Sequence, residues 1–383
     1  MVGYCCRCIF RNFIFVWRVD FMTQYYVQDI AENYLKNVVD PPVQLKVDKC
    51  YLYGADEEDL QSGYFELLSV IKSLYAGIAS NPKEFDMLMK ENAVPNAKNA
   101  EYTQSHASFL RIPNLLLLLG YKGELQSDMT LTINGNVFLG SAKELKITKP
   151  QFLLKKLGDY GFEIEGASKS IQAGDILSVS YPQNRFVLAA LTSMAESMMN
   201  ILDHDLRKAK NHFYIMDYRL LESEKPKEPK FTFDHLHHAL TDEQKKFAEK
   251  FNQFIAPYAK PVIRMGGLSR NDWACAYHLH SNKRIILSLI VNQDELSVKL
   301  NLEHIHQYID SVQQYPKAIG EAIKFGGWDC GRCHGNCAGA FVFEYEGKPY
   351  NKCRCGSFVF DHVKDDTIPY YIELLEKEMK AGA

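Results

Sequence analysis

Near the C-terminus the sequence reads CGRCHGNC, and sixteen residues after the last of those cysteines comes CRC. Cys330 and Cys333 form a C-x-x-C knuckle, a turn that aims two thiolates at one point, with Gly331 and Gly335 easing the backbone around it. Cys353 and Cys355 are two apart, so an extended segment sends both side chains from one face. Two thiolate pairs at opposite ends of a short hairpin suit a tetrahedral zinc ion, and soft sulfur donors favour zinc over magnesium or calcium. The cluster holds one cysteine more than four-coordinate zinc requires. Cys330, Cys333, Cys353 and Cys355 are the expected ligands, Cys337 is the alternative, and His334 and His362 are reserve donors. An iron–sulfur cluster is the rival metal. Four thiolates close the coordination sphere to water and substrate, so the expected role is structural: the cysteines fasten a long hairpin.

Three other groups have chemistry-bearing types. His278 and His280 alternate along a predicted strand whose other face is Trp273, Cys275, Tyr277 and Leu279. Two imidazoles at that spacing could share a metal or, with Trp273, line a ligand pocket, although the polar face of a half-buried strand has the same pattern. Cys275 and His278 fall on opposite faces and make a poor nucleophile–base pair. His235, His237 and His238 of DHLHH are expected in a solvated turn beside a linker, and His304 and His306 are expected to point to solvent. Lys143, Lys146, Lys149, Lys155 and Lys156 stand against Glu144 and Asp159, so Lys149, Lys155 and Lys156 are candidate DNA-backbone contacts on a helix. A solvated lysine face gives the same pattern, and no base-reading residues are evident. The segment 328–355 carries four Lys/Arg against three Asp/Glu and is no basic finger.

The elements that must position these groups follow from periodicity. Apolar residues from Val27 to Val38 and from Leu67 to Ile78 recur at helical spacing, with Pro41-Pro42 stopping the first helix. Asn81-Pro82 reads as the start of a third helix, and NLLLLLG as a buried helix end. Asn134-Gly135 between alternating apolar residues predicts a hairpin. A short helix from Thr148 to Leu157, strands at 162–165 and 175–181, and a helix from Pro182 follow. Helix, strand, loop, strand is the order of a winged helix, with the Glu165–Asp175 loop as the wing. ESEKPKEPK (Glu222–Lys230) is a linker by composition. Beyond it, TDEQKKFAEKFNQFI has a capping-type start at Thr241, three strands follow between Asp272 and Leu302, and strands at 341–345 and 357–360 precede a closing helix, 369–380.

With 383 residues, 46% hydrophobic and 24% charged, the chain is long enough for two or three cores. A net charge of -3 argues against a protein-wide nucleic-acid or membrane footprint. The apolar run Asn12–Trp17 is too short for a membrane span and is flanked by charges, and a signal peptide needs a longer apolar region and a small-residue cleavage site, so residues 1–21 are expected to be a spurious or disordered leader before Met22. Ten unevenly placed cysteines fit a reducing, cytoplasmic setting. The expected fold is α+β: a helical region with a winged-helix-like unit over 22–221, a linker at 222–232, and a small antiparallel sheet with helices and the Cys-rich metal insert over 233–383.

The stretch from Asp272 to Lys377, with its tryptophan-led strand pair, GGW (Gly326–Trp328) and DD (Asp365-Asp366), resembles small bacterial domains of α/β type. LLKKLGDYGFEIEG and SVSYP resemble the N-terminal parts of bacterial multidomain proteins. The resemblance implies architecture and no activity, and the cysteine insert departs from the smaller domains. P-loop, H-E-x-x-H and G-x-S-x-G motifs are absent. The expectation is therefore a non-enzymatic binding or regulatory protein with structural zinc and with DNA as a candidate partner. The alternative is a small-molecule sensor or enzyme using a cleft between the two halves.

Overall fold

The computed structural model describes residues 27–87, 106–166, 170–208, 211–238, 240–265, 273–292, 295–327, 329–330, 339–353, 356–361 and 363–382. The expected leader lies outside them. The chain combines helices with antiparallel sheets and divides into two compact units, one within 24–230 and one within 231–383. No helix among the described residues is long and apolar enough to cross a membrane.

The first unit begins with α1 (Val27–Asn37) and α2 (Glu57–Ser80). Asp56 caps α2 by accepting a hydrogen bond from the Asp59 amide at 2.8 Å, and three acids in the first turn favour the positive end of the helix dipole. Next come α3 (Arg111–Lys122), α4 (Gly135–Glu144), α5 (Pro150–Gly158) and α6 (Val187–Ile201). Helix α6 buries Val187 through Ala195 without a break, so it has no solvent face and forms the core on which α2 and α3 pack. Gly120 allows that approach: a Cβ there would stand 2.6 Å from the Leu191 carbonyl.

Four short strands, β1 (Glu124–Leu125), β2 (Leu131–Asn134), β3 (Glu163–Glu165) and β4 (Ile176–Ser180), form an antiparallel sheet in the order β1-β2-β4-β3. The hairpin expected at Asn134-Gly135 is not there. Asn134 instead ends β2 and caps α4, its side chain accepting from the Asn136 amide at 2.9 Å. Asparagine serves both the type I′ turn and the helix N-cap, and the helical period of the following VFLGSAKE decides for the cap. Gly135 is required by contact: its N–H donates to Asp175 O at 2.7 Å, and a Cβ would collide with the Gln172 carbonyl.

The 222–232 stretch contains no regular element, yet it is tied to the first unit. Tyr51 Oη donates to Glu224 O, and Arg219 Nη1 donates to Lys230 O.

The second unit contains α7 (Phe233–His238) and α8 (Asp242–Ile255). The expected solvated turn at DHLHH is therefore a short helix, formed because Leu236 is buried and anchors it. The capping box at Thr241 is complete, with reciprocal bonds to Gln244. Strands β5 (Ala259–Met265), β6 (Trp273–Leu279), β7 (Ile285–Asn292) and β8 (Glu295–Leu300) form an antiparallel meander. After α9 (Lys317–Phe325), β9 (Ala340–Tyr345) and β10 (Lys348–Cys353) make a separate two-stranded hairpin. Strand β11 (Phe358–Phe360) returns to pair with β8, and α10 (Ile368–Ala381) closes the unit against α8.

Candidate functional site

The hairpin β9–β10 turns at Glu346 and Gly347, both at positive φ (50° and 71°), the geometry of a two-residue type I′ loop. Phe341, Phe343 and Tyr345 are buried on its inner face, and His306 stacks on Phe341 with centroids 5.8 Å apart. On the other face Val342 is exposed. Asp329 forms an antiparallel bridge with Lys352, and the Cys330 amide donates to Asn351 O at 3.3 Å. That register sets Cys330 opposite Asn351. Asn351 and Cys353 are two apart on β10, so Cys330 and Cys353 share a face, the one opposite the aromatic side. Cys330 is half-buried, Cys353 is buried, and both thiols are free. In type and facing, these two suit a thiophilic metal. Cys333, Cys337 and Cys355, with His334 and His362, lie outside the described residues. Among the described residues no three His, Cys, Asp or Glu side chains gather around one point.

His278, His280 and Trp273 do not converge. Strand β6 alternates buried and half-buried residues and ends at Leu279, so His280 is the first residue of the turn and is exposed. His278 leaves the half-buried face, where its Nδ1 donates to Lys283 O at 3.1 Å. Trp273 is buried on the opposite face, edge-on to Phe231 at 4.9 Å. Cys275 shares that buried face, and burial pushes its thiol up to about 12, leaving no thiolate at neutral pH.

The three lysines on the α5 segment differ in their surroundings. Lys149, immediately before the helix, pairs with Asp86 at 2.7 Å. Lys156 is held by Glu84 (3.1 Å) and Asp159 (3.0 Å) and lies over the Phe85 ring. Burial opposes its charge, but those carboxylates win and its pKa is raised. Lys155 is exposed, as are Lys143 and Lys146, and none of these three holds an ion pair among the described residues. Strand β3, the edge strand that contacts α5, exposes Glu163 and Glu165.

Three buried ionic groups went unnoticed in the sequence. Arg111 is buried at the start of α3. Its Nη2 donates to Phe85 O and Asp86 O, Nη1 to Thr148 Oγ1, and Nε to Ser108 O. It thereby anchors the segment that leads into α5. Asp217, fully buried, accepts from Arg219 Nε (2.8 Å) and Nη2 (2.7 Å) and contacts His212 Nδ1 at 3.3 Å. Burial raises its carboxyl pKa, but those hydrogen bonds and charges outweigh it and hold the group at about 2. Glu378 of α10, also fully buried, receives Arg284 Nη1 (2.9 Å), Tyr308 Oη (2.8 Å) and the His304 and Glu303 amides, with His304 Nδ1 at 2.9 Å. His304 and His306, expected to face solvent, are instead drawn in by Glu378 and Phe341. Both carboxylates have their lone pairs filled by fixed donors, the arrangement of a structural anchor. A charged residue inside an otherwise apolar helical pattern, as at Arg111 and Glu378, was the available signal.

No protein-family model matches this chain, and comparison with curated proteins and with solved structures returned no match.

Proposed function

We propose that the chain is a non-enzymatic binding or regulatory protein of a reducing, cytoplasmic setting, with a structural zinc site in its second unit and a winged-helix-like nucleic-acid contact in its first. The observation that carries the zinc reading is the common face of Cys330 and Cys353. The spacing of the remaining cysteines supplies Cys333 and Cys355, with Cys337 in reserve, to complete four thiolates. A site of that kind replaces hydrophobic core under a two-stranded hairpin that is marginal by itself.

The winged-helix-like reading is supported by connectivity. Helix α3 is followed by β2, then α4 and α5, then β3 and β4, and β4 lies between β2 and β3 in the sheet. In that arrangement α5 is the helix offered to a groove, and 166–175 is the wing. Lys143, Lys146 and Lys155 are the lysines available to phosphates. Lys149 is available by exchange, because an exposed ion pair contributes little. Glu163 and Glu165 repel phosphate at the wing, so the contact belongs to the helices.

Duplex DNA binding by the full chain, titrated with salt, tests this. The expected result is affinity that falls steeply with salt, with the slope reduced by about 3 in Lys143→Gln/Lys146→Gln/Lys155→Gln. Salt-independent binding, or a slope unchanged by the three substitutions, would remove nucleic acid from the account.

A further inference from the structure

We infer that Phe152 is the base-reading residue of this face, its ring packing against the 5-methyl group of thymine in duplex DNA. The inference rests on the nucleic-acid reading above and adds a specificity to it. Helix α5 already buries Leu153, Leu154 and Leu157 against its own unit. Phe152 is left 40% exposed, a large aromatic with a substantial part of its ring in solvent. Phe152 and Lys155 stand three apart within the helix and fall on one side of it, while Lys149 precedes the helix as its N-cap. Cations flanking an apolar ring divide the work of a DNA contact: the ammonium groups hold the backbone, and the group between them meets the base edge. A phenyl ring offers no hydrogen bond to a base, and the apolar feature of the major groove is the thymine methyl. The ring is also presented on a fixed support. Pro150 sets the first turn, and Arg111 holds Thr148 just ahead of it. Asp86 is engaged by Lys149, and Glu84 and Asp159 by Lys156.

The test compares full-chain binding to alternating poly(dA-dT) and poly(dA-dU) duplexes, which differ in chemistry by that methyl alone, at one salt concentration. The parent should prefer the thymine polymer by about fourfold, the value of one buried methyl-sized group. Phe152→Ala should bind both polymers equally while keeping the parent's salt slope. Lys155→Gln should lower the slope and keep the preference, and circular dichroism should show both variants folded. Equal binding of the two polymers by the parent, or a preference that survives in Phe152→Ala, overturns the inference; salt-sensitive binding would then leave the proposed function standing. A parent that binds neither polymer overturns both.

Discussion

Arg111 illustrates how single residues organise this protein. Its guanidinium satisfies the Phe85 and Asp86 carbonyls and the Thr148 hydroxyl, acceptors on two distant segments. Arg111→Met keeps much of the volume and orphans those acceptors, so it should lower the stability of the first unit by about 3 kcal/mol in urea denaturation. Asp217 acts through charge. Its folded pKa of about 2 lies below its ordinary 3.8, so the fold prefers the carboxylate. That stabilisation is complete above roughly pH 4 and is lost as pH falls toward 2, with about 2 kcal/mol at stake. The stability gap between parent and Asp217→Asn should therefore be wide near neutrality and narrow by about that amount at low pH. Glu378→Ala should destabilise the second unit by about 1 to 3 kcal/mol, because it leaves Tyr308 Oη and the Glu303 and His304 amides without their acceptor, while Arg284 keeps Glu303. Arg111 was visible in the sequence as a charge heading an apolar run. Its acceptors were not, since backbone carbonyls carry no residue signature and lie far away along the chain.

At the scale of elements, the two-residue turns show where sequence reading succeeds and fails. Asn134-Gly135 has the strongest hairpin pattern and became a helix cap, while Glu346-Gly347 makes the hairpin that holds Cys353. Local turn chemistry is ambiguous by itself, and the helical period of the residues that follow decides for the cap. The capping box at Thr241 was legible because it is purely local. Strand β5 was missed because Pro261 interrupts its pattern. Proline is tolerated because β5 is an edge strand. The His280 amide donates to Tyr258 O, which turns Lys260, Val262 and Arg264 toward β6 and leaves the N–H and carbonyl positions of Ala259, Pro261 and Ile263 on the open side. The missing N–H thus blunts an edge that would otherwise template another strand. Pro261→Val should preserve the fold and increase self-association, read as a rise in weight-average mass by sedimentation. Unchanged mass would show that Lys260 and Arg264 protect the edge without it.

For the whole molecule, two units with separate cores divide the work. The first builds a helix that is buried over nearly its whole length into its centre. In the second, Cys330 and Cys353 share the face of the hairpin opposite its buried aromatics, where the zinc site is proposed. Cysteine spacing led to the proposal of a thiolate site, and the described residues add that Cys330 and Cys353 share a face, while Cys333, Cys337 and Cys355 lie outside them. The α+β class was legible from periodicity. Whether the thiols hold zinc decides between a structural metal protein and a cysteine-bearing hairpin. The most direct measurement is elemental analysis of the full chain, purified without added metal, beside Cys330→Ser/Cys353→Ser, with thermal unfolding followed for both. The account predicts one zinc per chain in the parent, absent from the variant, and loss of the second unit's unfolding transition with the first unit's transition unchanged. A parent without zinc, or one carrying iron with visible absorption, would contradict it.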